Sequence, residues 1–557
     1  MQIQKLVNSF SPIPKRHTIC KGELSMKRFV SVTLLAGMIL FACNRAEKEE
    51  NSISKRDYSI TKKNAYNNLF LDSSELVNFI SENQIPDSIA RRMTSFYNTR
   101  NYEYAWFSST GLSEQAMGFS SLLNFTGDTS AKENKLQQTI DNFKGTDNLT
   151  ISNHNKSALK TELQLTQRLI EYSLTNFKKG YVKRKQLERF IPFKKENALH
   201  FADSLINDKQ RDDKYYADIN PAYKLLSEQL KNYVGIAKAG GWPVIENTAK
   251  TKFKKNRRYP QIISIRKLLF ITGDMPQNDS SDLYDQNLEN GVKNFQTRFG
   301  FTPDGIMGDQ TLKQMSVPVI DRIKQILINM NRMRWLPLNP PGQLIEVNIP
   351  AFLLHVYDNG KTVFTMPVVV GKDAHSTTIF SDLLTTIVFS PYWNVPPSIV
   401  KNEIVPAMDS DANYLEEHNM EITGQENGLP VVRQKPGDQN SLGKVKFLFP
   451  NTFNIYFHDT PAKELFNKDI RAYSHGCIRL ADAEKMADYL LRDNRKWTPE
   501  KIHEAMNSAD ENFVKLKDPV PVFITYYTAW VDENGKLNFR DDIYGHDKEV
   551  AEKMFTK

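Results

Sequence analysis

The sequence predicts a multidomain α+β protein: an all-α N-terminal scaffold, a small helical module, and a mostly-β C-terminal domain carrying a long capping insertion. Three observations predict it. Helical spacing dominates from about Thr61 to Val234, with Leu159, Leu163, Thr166, Ile170 and Leu174 on one face and Gly180 as a stop. A second apolar helix face, Leu288, Val292, Phe295 and Phe299, runs into the turn Gly300-Phe301-Thr302-Pro303-Asp304-Gly305. From Leu344 the period changes to that of strands. The 557 residues, 40% hydrophobic and 25% charged, suffice for roughly two to four domains.

Residues 1–25 look like neither signal nor fold and are expected to be an upstream extension, with translation starting at Met26. Met26-Lys27-Arg28 forms a charged n-region ahead of the apolar run Phe29 to Ala42, whose fourteen residues are too few to span a bilayer. Leu40-Phe41-Ala42-Cys43 resembles a bacterial lipoprotein processing box, which implies cleavage before Cys43 and lipidation there; an uncleaved membrane anchor is the alternative. Residues 43–60 are polar and read as a tether. Six basic groups and one acid in residues 1–42 leave a formal charge of only +3 on the remainder, so the overall +8 makes no case for nucleic-acid binding.

The scaffold is expected over 61–234, the small module over 235–317 and a linking helix over 318–343, with Pro337, Pro340 and Pro341 marking the boundary. Tyr102, Tyr104, Trp106 and Phe107 are expected as core rather than as a glycan-stacking surface. In the last domain, 344–545, Asp358-Asn359-Gly360 between the runs Val347 to Tyr357 and Thr362 to Val370 is a hairpin signal. Further strands are expected at 384–390, 445–449, 455–458 and 521–527, with 394–443 a long loop acting as a lid and 546–557 a tail. His355 and His375 have no partner spacing and are expected on the surface or in packing.

The chemistry concentrates in one stretch. His458 ends an alternating run, and after fifteen intervening residues comes Ser474-His475-Gly476-Cys477-Ile478-Arg479. A thiol attacks as thiolate, and with a free pKa of about 8.5 it needs a base or a positive field. Gly476 permits a tight turn whose N–H groups can converge on an oxyanion. Ala483, Met486, Ala487, Leu490 and Leu491 form an amphipathic helix whose N-terminus would lie near Cys477. The other cysteines, Cys20 and Cys43, fall outside the folded domains, so Cys477 is an unpaired thiol that catalysis would justify.

His458, the gap and Ser474-His475-Gly476-Cys477 resemble the H-x(14–17)-[ST]-H-G-C signature of the L,D-transpeptidases, the YkuD-like fold. The helical scaffold resembles that of large Gram-negative members, and the run from Val292 to Leu312 resembles a three-helix peptidoglycan-binding module. The resemblance implies a transferase that cross-links peptidoglycan in the cell envelope, facing the periplasm, with stem peptides and glycan as partners and no cofactor or metal. It implies Cys477 as nucleophile, His458 as base oriented by a nearby main-chain carbonyl, and backbone amides of His475, Gly476 and Cys477 as the oxyanion hole. Ser474 and Tyr456 flank the site, Arg479 fits a family preference, and Trp393 either lines the cleft or packs in a core. A hydrolase or D-amino-acid exchange enzyme on the same acyl-enzyme, and a non-catalytic wall-binding lipoprotein, are the alternatives.

Overall fold

Residues 52–126, 131–144, 149–176, 191–207, 221–245, 252–335 and 342–556 are described by a computed structural model. Cys43, the signal-like run, Gly180, Pro337, Pro340 and Pro341 lie outside the described residues.

In the scaffold, helices α1 (Asp87–Thr99) and α3 (Lys156–Asn176) flank the aromatic segment, and α2 (Glu114–Thr126) follows it. Tyr104, Trp106 and Phe107 are fully buried, as the core reading expects. The segment is pinned by a carboxylate: Glu162 of α3 accepts from the Ala105 and Trp106 N–H groups at 2.7 and 2.9 Å. Residues Ser54–Ile60, expected as tether, are held instead. The Ser54 N–H donates to Ser95 Oγ, Asn98 Nδ2 to the Ser54 carbonyl and the Asp57 N–H to the Asn98 carbonyl, and Ile60 is buried.

The small module has three helices, α4 (Gln261–Ile271), α5 (Gln286–Phe299) and α6 (Asp309–Met315). Asp285 caps α5, and Gly300 ends it in the left-handed region at φ 74°. The stripe Leu288, Val292, Phe295 and Phe299 is buried, and Phe299 stacks on Phe539 near the chain's end at 5.5 Å. Arg298 pairs with buried Asp274 and donates to the Leu537 carbonyl. A single hydrophobic core runs through scaffold, module, the helix α7 (Val319–Met333) and the C-terminal residues. The expected tail is therefore corrected: α9 (His546–Met554) buries Val550 and Met554 in that core.

The C-terminal domain is built on a nine-stranded sheet that closes on itself. Its strands are β1 (Gln343–Asn348), β2 (Leu353–Asp358), β3 (Lys361–Gly371), β4 (Phe380–Phe389), β8 (Val445–Leu448), β9 (Phe457–His458), β10 (Ala472–Ser474), β11 (Ile478–Leu480) and β12 (Asn512–Thr525). The order β10-β3-β11-β9-β8-β4-β12-β1-β2 is closed by β2 pairing with β3. Asn359 and Gly360 both have positive φ and form the expected hairpin turn. The run Val347 to Tyr357 is not one strand. A 3₁₀ turn at Ile349–Ala351 and Phe352 at φ 55° divide it into β1 and β2. Helix α8 (Ala483–Leu491), capped by Asp482, packs Met486 and Ala487 into the barrel core.

The insertion is not a bare loop. Strands β5 (Trp393–Asn394), β7 (Leu429–Gln434) and β6 (Met420–Glu426) form a sheet over short helical turns, with a core of Val395, Ile399, Val400, Ile404 and Val432. Trp393 packs half-buried against that core.

One triad, buried at Arg332 and Asp547, ties three distant segments. Arg332 of α7 bonds Glu114 of α2 and Asp547 of α9, and Asp547 also accepts from Thr528 Oγ1. Replacing Arg332 by Ala leaves two carboxylates facing each other out of water and should cost about 3–5 kcal/mol in urea unfolding. Adding Asp547→Asn should recover part of it. A loss under about 1 kcal/mol would mean the triad does not hold these segments together.

Candidate active site

The site is set by two neighbouring parallel strands. Phe457 of β9 is level with Ile478 of β11, and His458 with Arg479. The Ile478 N–H donates to the Tyr456 carbonyl at 3.1 Å. Phe457 and Ile478 are fully buried in the barrel core. Side chains alternate along a strand, so Tyr456, His458, Cys477 and Arg479 share the opposite face. Core packing thus presents the thiol and the imidazole together.

His458 is itself buried, and its Nδ1 lies 2.5 Å from the Asp459 carbonyl. This is the kind of main-chain partner that the family resemblance implies. The Asp459 carboxylate is occupied elsewhere, accepting from the Lys444 N–H and Lys463 Nζ. Burial pushes the His458 pKa down to about 4, and the Arg479 guanidinium pushes the same way against the carbonyls of Asp459 and Leu442. The resting imidazole is neutral.

Cys477 is half-buried, and burial pushes its thiol up to about 11. Hydrogen bonds from Tyr456, through main chain and hydroxyl, and the Arg479 charge oppose that rise without overcoming it. The thiol also lies 3.5 Å from the Asn454 carbonyl. His458 stands two residues beyond Tyr456 on the neighbouring strand, on the same face as Cys477. Between Cys477 and α8 the chain runs through β11, and Asp482 caps the helix by accepting from the Lys485 N–H. Burial also lowers the Arg479 pKa, with Cys477 and Glu464 opposing.

The loop before Cys477 is tightly bonded. Ser474 Oγ accepts from the Gly476 N–H at 3.2 Å and donates to the Cys477 carbonyl at 2.5 Å. Gly476 has φ +113°, which an L side chain rarely adopts. At Gly371 the constraint is space, since a Cβ there would fall 2.1 Å from the His375 carbonyl. The His475 ring points to the insertion: Nε2 is 3.0 Å from Glu403 Oε1 on the π-helical turn Val400–Ile404, and the His375 ring lies 5.1 Å away. Burial lowers the His475 pKa, with Glu403 opposing. Sequence reasoning missed Glu403, Leu442 and Thr377. Glu403, and Thr377 through its hydroxyl on the Gly476 carbonyl, come from segments far along the chain, and no local pattern marks any of the three.

Residues 342–522 match the YkuD family, the L,D-transpeptidase catalytic domain. The C-terminal domain is a YkuD domain. Residues 91–230 match a scaffold domain, and residues 259–315 a "Putative peptidoglycan binding domain". A curated relative from Haemophilus influenzae, described as "Putative L,D-transpeptidase", is 33% identical over 243 residues, 41% of this chain and 49% of its own. The chain thus spans about half the length of that relative. Among solved structures, an L,D-transpeptidase from Mycobacterium smegmatis is 15% identical, covering 33% of this chain and 58% of its own at a TM-score of 0.19. An L,D-transpeptidase from Stackebrandtia nassauensis is 14% identical, covering 50% and 97% at a TM-score of 0.22.

The YkuD domain's resting thiol is protonated at neutral pH, and this has a direct readout. Thiolate fraction rises with pH only as the thiol pKa is approached, and that pKa is raised here to about 11. Alkylation of Cys477 by iodoacetamide at pH 8, followed by peptide mass spectrometry, should be at least about tenfold slower than for free cysteine and still rising at about pH 9.5. A plateau reached below about pH 7 would mean a thiolate–imidazolium pair at rest.

Proposed function

We propose that this protein is an L,D-transpeptidase that cross-links peptidoglycan through a cysteine thioester. The observation that carries the reading is the shared face of Tyr456, His458, Cys477 and Arg479 beside the Gly476 turn, within a YkuD domain. The peptidoglycan-binding domain supports the wall as substrate.

As substrate excludes water, the Cys477 proton passes to the imidazole nitrogen of His458 not committed to Asp459. Sulfur attacks the carbonyl carbon of the third stem residue of a tetrapeptide, and Arg479 stabilises the negative sulfur on the way. The carbonyls of Asp459 and Leu442 stabilise the imidazolium. The C–N bond to terminal D-Ala breaks, and D-Ala leaves with the proton from His458. The side-chain amine of a second stem then attacks the thioester, forming a 3→3 amide and returning the thiol. Coupling proton transfer to attack suits a pair whose members are both neutral at rest. Ser474 holds the nucleophile loop, and Tyr456 flanks the sulfur as a donor. Trp393 belongs to the cap that covers the donor stem. Lipidation at Cys43 would fix the enzyme to a membrane of the cell envelope, facing the periplasm; that placement rests on the sequence alone. Among the described residues no helix is long and apolar enough to cross a membrane.

The test is incubation with disaccharide tetrapeptide and product analysis by mass spectrometry. Wild type should give cross-linked dimer and free D-Ala, and Cys477→Ala neither. His458→Ala should slow acylation by a carbapenem about 10²–10⁴-fold, while His475→Ala, whose ring contacts Glu403, should lose far less. Tripeptide or D-amino-acid-exchanged product without dimer would replace the amine acceptor by water or a free amino acid. A fully active Cys477→Ala would remove the mechanism.

A further inference from the structure

The oxyanion hole expected from the sequence draws on the amides of His475, Gly476 and Cys477. One of them is already committed: the Gly476 N–H donates to Ser474 Oγ. The Cys477 N–H has no acceptor among the described residues. Its direction is set by the peptide unit it shares with the Gly476 carbonyl, because that unit is planar and trans and its C=O and N–H point opposite ways.

The Gly476 carbonyl has a dedicated partner. Thr377, 1% exposed, places Oγ1 at 2.8 Å from it. The same Oγ1 accepts from the Gly371 N–H at 2.9 Å. A hydroxyl has one proton, and an N–H can only donate, so the Thr377 proton must go to the Gly476 carbonyl. Thr377 is fixed in turn. Its N–H donates to the Tyr544 hydroxyl at 3.3 Å, and that hydroxyl donates to the Gly371 carbonyl at 2.5 Å. The close approach needs Gly371, where a Cβ would fall 3.2 Å from Gly476 Cα.

We propose that Thr377 is the positioning residue of the oxyanion hole: by donating to the Gly476 carbonyl it turns the Cys477 N–H outward to the reacting carbonyl oxygen. Donation to a peptide oxygen also polarises its N–H, strengthening the bond to a developing negative charge. The inference rests on the transpeptidase reading and adds to it the group that aims the amide. It also accounts for a polar side chain buried ninety-nine residues from its partner.

The test separates oxyanion stabilisation from placement of the thiol. Thr377→Val keeps the shape and removes the donor, whereas Thr377→Ser keeps the donor. Carbapenem acylation, which passes through an oxyanion, and iodoacetamide alkylation, which does not, are measured on the full chain. The maximal acylation rate of Thr377→Val should fall by on the order of tenfold or more, with the half-saturating concentration nearly unchanged. Its alkylation rate should stay within about twofold of wild type, and Thr377→Ser should recover most of the acylation. If Thr377→Val does not fold, Thr377→Ala is read in the same way against Thr377→Ser. Unchanged acylation in the variants overturns the proposal, as does a parallel loss of acylation and alkylation. A wild type that no carbapenem or tetrapeptide acylates would instead overturn the transpeptidase reading beneath it.

Discussion

The site depends on the register of two short parallel strands. Phe457 and Ile478 sit side by side in the barrel core, and every reactive group follows from their burial. A slip of one residue would turn the phenyl ring and the isoleucine to solvent and drive the imidazole and thiol into the core. Burying two large apolar side chains favours the observed register by several kcal/mol, roughly 1.5–3 for each. The arrangement of these side chains is therefore held by packing, and the polar groups need no strong bonds to one another to stay in place.

The same burial sets the resting protonation. It raises the thiol and lowers the imidazole, so the neutral pair is favoured over the ion pair. Such a shift protects an unpaired cysteine, because oxidation and exchange need thiolate. On the proposed mechanism, reactivity is created by the substrate's arrival. Arg479 fits that role: its charge opposes proton uptake by His458 at rest and stabilises sulfur as it becomes negative.

The sequence marks those features whose physics is local. The Asn359-Gly360 turn, the stripe from Leu288 to Phe299 and the spacing from His458 to Cys477 all express backbone or periodic constraints within a few residues, or within one motif. What it hides depends on distant partners. The C-terminal helix looks like a tail because its charged face conceals Val550 and Met554, which have value only against the scaffold core. Residues Ser54–Ile60 look like tether because their order comes from hydrogen bonds to Ser95 and Asn98. The insertion reads as a loop because its strands and turns are short and polar, and its five-residue core is assembled from both ends. Thr377 is a small polar residue in a polar stretch, and only the fold brings it to Gly476.

The most direct measurement is the chemical identity of the acylated residue. The protein is mixed with stem tetrapeptide, quenched in acid within a turnover, digested and mapped by mass spectrometry. The account predicts a tripeptidyl adduct on Cys477, released by neutral hydroxylamine as a thioester would be. An adduct on Ser474 or another side chain, or cross-linked product formed with Cys477 unmodified throughout, would contradict it.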